Sequence, residues 1–226
     1  MSGVDRRRTE WIAWLFMVGS ALFAIGALPP FAAAVGPRWD ALTFFVGSLF
    51  FTSAAFLQYV QAVQSPPTRA GGAHDRLPRW APHDTNGTAC AVQLAGTFWF
   101  NWSTGNALRS NLSVAAADQL IWRPDALGSI AFLLASGLAM QSVWKLRSGT
   151  GRRPALWWSA VANVVGSVAF GVSAVAAFVV PATGELRNVE ISNLGTFLGA
   201  LCFLVGAALL LVPTPTPTTQ QAGASA

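Results

Sequence analysis

Residues 16–26 read Phe16-Met17-Val18-Gly19-Ser20-Ala21-Leu22-Phe23-Ala24-Ile25-Gly26. They hold a glycine, a small residue beside it, phenylalanine four positions after the glycine, and another small residue at plus seven. The same pattern returns as Gly47, Ser48, Phe51, Ala54; as Gly96, Thr97, Phe100, Ser103; and as Gly128, Ser129, Phe132, Ala135. It returns twice more as Gly166, Ser167, Phe170, Ser173 and as Gly199, Ala200, Phe203, Gly206. The chain has 21 Gly and 15 Phe in 226 residues. Chance then gives roughly one or two Gly-x-x-x-Phe pairs, whereas six occur, one in each of six apolar runs. At 100° per residue, positions zero, four and seven of a helix lie within about 60° of one another and form one stripe. Inside lipid, apolar surface alone gives little drive for association. Close backbone approach at small residues, with Phe filling the gaps, must supply it. The stripe reads as a helix-packing seam; the competing reading has the small residues lining a pore.

The apolar runs cover roughly 10–30, 40–63, 88–105, 125–145, 155–181 and 191–212, each near the ~20 residues a bilayer crossing needs. With 53% hydrophobic and 10% charged residues and a mean hydropathy of +0.48, an ordinary soluble domain is excluded. The expected fold is therefore all-α, a polytopic membrane bundle of six transmembrane helices. Successive stripe glycines are 28, 49, 32, 38 and 33 residues apart. The short intervals pair the helices into three hairpin-like repeats, about 10–63, 88–145 and 155–212, within one domain of residues 1–212. Residues 213–226, Pro-Thr repeats followed by Gln, Gly, Ser and Ala, read as a disordered cytoplasmic tail. A leader peptide is the competing reading of the first run, since Arg6, Arg7 and Arg8 precede it and Ala32–Ala34 close it.

A formal charge of +5 raises nucleic acid as a partner, but the basic residues fall in the short connections instead of forming one patch. With the N-terminus inside, the inner segments hold ten of the fourteen Lys and Arg: Arg6, Arg7, Arg8, Arg69, Arg76, Arg79, Lys145, Arg147, Arg152 and Arg153. Arg38, Arg109, Arg123 and Arg187 are outside. Both termini are thus expected in the cytoplasm. Trp11, Trp14, Trp144, Trp157 and Trp158 form an inner aromatic belt, with Trp39 and Trp122 at the outer interface. Thirteen Arg against one Lys, with abundant Ala, suggests a GC-rich bacterial source and so a bacterial inner membrane.

The segments Arg7–Gln58 and Trp157–Leu211 carry Phe-x-x-Gly-Ser-x-x-Phe at 16–23 and at 44–51, the stretch Asn163–Phe170, and Asn193-Leu194-Gly195-Thr196-Phe197-Leu198-Gly199-Ala200-Leu201-Cys202-Phe203. These resemble the YrhK family of small bacterial membrane proteins, the last stretch looking like the family's second helix. The resemblance implies a helical hairpin in the inner membrane and transfers no catalytic residue.

Chemistry-bearing residues are sparse. Cys90 and Cys202 lie in apolar runs and read as small buried hydrophobes. His74-Asp75 and His83-Asp84 are too few for a transition-metal site. No metal, cofactor or catalytic motif is expected: there is no His-Glu-x-x-His and no nucleophile beside a base. Asp40, Asp125 and Glu190 begin outer-to-inner helices, where a carboxylate suits a helix N-terminus. Gln58, Gln61, Gln93, Asn101, Gln141 and Asn163 are amides within the runs. They read as interhelical glue, or Gln58, Gln61, Gln141 and Asn163 as a shared polar pocket open to the cytoplasm. Three function classes follow. The first is a noncatalytic membrane protein that packs against itself or a partner, with membrane lipid and a second copy or another membrane protein as partners. The second is a transporter or channel for a small neutral or apolar molecule, and the third, least supported, is an enzyme.

Overall fold

Proline and glycine set the helix ends in the computed structural model, which describes residues 3–64, 85–150 and 154–212. Helix α1 (Gly3–Gly26) stops two residues before Pro29 and Pro30, which occupy the first turn of a short α2 (Pro29–Val35). There the missing proline N–H costs nothing. Gly36 ends α2 at φ 82°, a conformation suited to glycine, and Pro37 opens α3 (Pro37–Gln64). The first run, expected to continue to residue 30, is therefore a helix, a break and a second helix.

After α4 (Thr85–Asn106), Ser113 caps α5 (Val114–Ala117) by accepting from the Ala116 N–H at 3.2 Å. One π-helical turn, Asp118–Trp122, leads into α6 (Arg123–Thr150). The fourth helical rod therefore starts before residue 125. The fifth run also departs from expectation, because α7 (Pro154–Ala176) ends five residues short of 181. There the chain doubles back: Val179 bridges Leu186, and the Val180 and Arg187 N–H groups donate to Glu185 and Phe178 carbonyls at 2.8 Å. Asn188 then caps α8 (Val189–Leu209), accepting from the Ile191 N–H at 2.9 Å. Asp40, Asp125 and Glu190 stand in the first turns of α3, α6 and α8.

The long helices close a ring in chain order. α1 packs on α3, α3 on α4, α4 on α6, α6 on α7, α7 on α8, and α8 returns to α1. Among the described residues, five helical segments are long and apolar enough to cross a membrane: Arg6–Gly26, Pro37–Gln64, Val114–Lys145, Pro154–Ala176 and Val189–Leu209. α4, expected to be a sixth, falls short of that standard; Asn86, Gln93, Asn101 and Asn106 lower its hydropathy. The His-Asp pairs and the tail from residue 213 lie outside the described residues.

Candidate functional site: the phenylalanine core

All twenty-four stripe positions are buried. Within each pair of helices the glycine of one seats the phenylalanine of the other. A Cβ on Gly19 would lie 2.8 Å from the Phe51 ring, and one on Gly47 would lie 2.8 Å from Phe23. In α4 and α6 the exchange is Gly96 with Phe132 (2.9 Å) and Gly128 with Phe100 (3.2 Å). In α7 and α8 it is Gly166 with Phe203 (3.2 Å) and Gly199 with Phe170 (3.3 Å). At 2.8–2.9 Å a Cβ on Gly19, Gly47 or Gly96 would force the facing ring to shift, and at 3.2–3.3 Å one on Gly128, Gly166 or Gly199 would crowd its ring. Bulk at these positions therefore works against the helix contact. The same closeness brings backbone to backbone: the Gly166 and Gly199 carbonyls each lie 3.0 Å from where the other glycine's Cβ would be.

The six rings meet on the axis of the ring of helices. Phe23, Phe100 and Phe170 form one triangle, with centroids 6.5, 6.0 and 6.0 Å apart. Phe51, Phe132 and Phe203 form a second, with centroids 6.2, 6.0 and 5.6 Å apart. The triangles are joined ring to ring at 5.5, 5.2 and 5.5 Å by the pairs Phe23–Phe51, Phe100–Phe132 and Phe170–Phe203. The result is a trigonal prism of aromatic rings, most pairs edge-to-face, each pair worth about 0.5–1.5 kcal/mol beyond its buried area. At this level the axis is filled.

The residues beside the glycines face other neighbours. Ser48 Oγ lies 3.0 Å from Thr104 Oγ1 across α3 and α4, and Ser167 donates to the Phe132 carbonyl at 3.2 Å across α7 and α6. Ser20 and Ser129 are buried with hydroxyl oxygens that have no hydrogen-bond partner. At plus seven, Ser103 donates to the Ile121 carbonyl of the π-helical turn at 2.9 Å, and Ser173 donates to the Ser192 carbonyl at 2.7 Å.

The four amides suggested for a cytoplasmic pocket are distributed over the ring. Gln61 donates to Thr9 at 3.0 Å, joining α3 to α1. Gln58 Oε1 is buried without a partner, and Gln141 is exposed. Asn163 sits in the α7–α8 seam, its Oδ1 2.8 Å from where a Cβ on Gly206 would be. Asn101 makes the best-defined amide contact, donating to Thr52 at 2.8 Å between α4 and α3. Trp122 is not simply an interfacial ring: its indole donates to the Ala174 carbonyl at 2.8 Å and packs on Phe178. Trp11, Trp14, Trp39, Trp144 and Trp158 are exposed. Among the described residues no three of His, Cys, Asp and Glu come together, and Cys90 and Cys202 carry thiols outside any disulfide.

Apolar helices of this length and number, with exposed aliphatic and aromatic surface outside and a filled centre, define a multi-pass membrane protein. No family model, curated protein or solved structure matches the chain.

Proposed function

We propose that the chain is a noncatalytic bacterial inner-membrane protein that crosses the bilayer six times as three related YrhK-like hairpins. In this reading its stripes hold its own helices together, and its outer faces meet lipid and a second copy or another membrane protein. The observation that carries the reading is the phenylalanine prism, which turns every stripe inward and occupies the axis a pore would need. α4 is the sixth span in this account because Gly96 and Phe100 take the same part as the equivalent residues of α1 and α7. Its amide at Asn101 is turned to Thr52. The ten-to-four division of basic residues supports cytoplasmic termini.

Two experiments test this. In intact cells, Glu185→Cys is expected to react with an impermeant maleimide and Arg76→Cys is not; the reverse pattern overturns the orientation. In proteoliposomes with an imposed sodium or proton gradient, the protein is expected to leave the gradient unchanged with or without amino acids, sugars or hydrophobic drugs. Substrate-dependent collapse would establish the transporter alternative, which requires the six rings to part.

A further inference from the structure

The three hairpins turn differently at their outer ends, and the first leaves a groove. α2 is Pro-Pro-Phe-Ala-Ala-Ala-Val, wholly apolar, yet no residue of it is buried. Phe31, Ala32 and Val35 are half-buried where α2 packs on α3 and α1, while Pro29, Pro30, Ala33 and Ala34 are exposed, so much of this apolar helix finds its contact in the medium. Between α2 and the α1–α3 pair lies a cavity of about 480 Å³. Its walls are Leu22 from α1, Phe31 and Val35 from α2, and Trp39, Leu42 and Val46 from α3. Thr43, the one polar side chain of the lining, is bonded back to the Trp39 carbonyl at 2.9 Å. The volume lies in the range of ligand sites, roughly 300–1,000 Å³. Trp39 is 64% exposed, so the groove opens to the surroundings of the bundle.

We propose that this groove binds one acyl chain of an anionic phospholipid. The hydrocarbon of the bilayer matches the wall chemistry, and the charge at the end of the groove selects the headgroup. Arg38 directly precedes Trp39, is exposed and makes no ion pair among the described residues. Asp40, two residues further on, is half-buried with Oδ1 enclosed, whereas Arg38 is exposed. An exposed guanidinium one residue from the groove-lining Trp39 suits a phosphodiester headgroup, which it can hold through two N–H donors.

The inference rests on the membrane reading, and recovery of the chain from carbonate-washed membranes tests that reading separately. For the site itself, the full chain is purified in detergent and titrated with phosphatidylglycerol or phosphatidylcholine, with lipid retention read by native mass spectrometry. One phosphatidylglycerol per chain is expected, preferred about fivefold over phosphatidylcholine, the scale of one basic side chain at an anionic headgroup. Arg38→Gln should remove the preference. Leu42→Trp should displace the lipid by filling the groove. Val35→Trp should do the same from α2, where nothing buried is disturbed, with an unchanged unfolding temperature. Equal retention of both lipids by the unmodified protein, undiminished retention in both Trp variants, or a lipid-free dimer would each overturn the proposal.

Discussion

Within each pair of helices, at the level of the prism, the contact is glycine against phenylalanine; between pairs the rings meet one another on the axis, and around them hydroxyls, an amide and backbone carbonyls join α3 to α4 and α6 to α7. The first kind repeats three times with nearly the same geometry, ring centroids of paired phenylalanines being 5.2 to 5.5 Å apart. The second kind differs between the α3–α4 and α6–α7 seams. α3 and α4 share Ser48–Thr104 and Asn101–Thr52, whereas α6 and α7 share Ser167 with the Phe132 carbonyl and Trp122 with the Ala174 carbonyl. Close packing without hydrogen bonds has one good solution for a given pair of surfaces, and repetition of the residues repeats it. A hydrogen bond tolerates several donors and acceptors at slightly different offsets, so the seams between pairs are free to diverge.

The largest effect is expected from removing a ring. Phe132 contacts rings of both triangles and is 3% exposed. Phe132→Ala should cost about 3 kcal/mol of unfolding free energy, measured by reversible detergent or steric-trapping unfolding. Phe98→Ala on the 58% exposed face of α4 should cost less than about 0.5 kcal/mol. Next comes added bulk: Gly199→Leu, with the Gly166 carbonyl 3.0 Å from its Cβ position, should cost about 2 kcal/mol and lower monodisperse yield. Gly137→Leu and Gly171→Leu, whose Cβ positions have nothing within 4 Å, should leave both unchanged. Smallest are the seams between pairs. Asn101→Ala and Ser167→Ala should each cost about 0.6–1 kcal/mol, the usual value of a hydrogen bond between membrane helices. A cost for Ser167→Ala matching that of Phe132→Ala would erase the distinction between the two kinds of seam.

Much of this was legible in the sequence because a period-four pair of Gly and Phe has few uses in lipid other than packing. The twelve glycine and phenylalanine positions could be named without coordinates, but not which glycine receives which ring, since that depends on how the helices pair and at what height. Helix ends were harder. Val179 and Val180 are apolar and extend the fifth run on paper. In the structure they lie in a turn held by the Val180–Glu185 and Phe178–Arg187 backbone bonds, marked locally by Pro181 and by Gly184 at φ 73°. Pro29 and Pro30 close the first run in the sequence, and the seven-residue α2 that they open falls almost wholly between the first run and the second. The amides were read as one group because they share a depth in sequence. Rotation around each helix separates them, sending Gln61 to Thr9, Asn163 to the Gly206 backbone and Gln141 to the surface. Asn101 was legible only as glue of unspecified partner, because an i, i+4 pattern fixes a face and not the neighbour it meets.

The exchange of glycine and phenylalanine between paired helices is the central claim, and a double-mutant cycle at Gly47 and Phe23 tests it most directly. The three atoms nearest the Cβ position of Gly47 belong to side chains, Phe23 at 2.8 and 3.1 Å and Leu22 at 3.2 Å, so space made at Phe23 can receive bulk added at Gly47. Gly47→Leu combined with Phe23→Ala should be about 1–2 kcal/mol more stable than the sum of the single changes, whereas Gly47→Leu combined with Phe98→Ala, on the exposed face of α4, should be additive within about 0.5 kcal/mol. Additivity in the first pair, or equal coupling in both, would mean that Phe23 does not occupy the place that Gly47 leaves open.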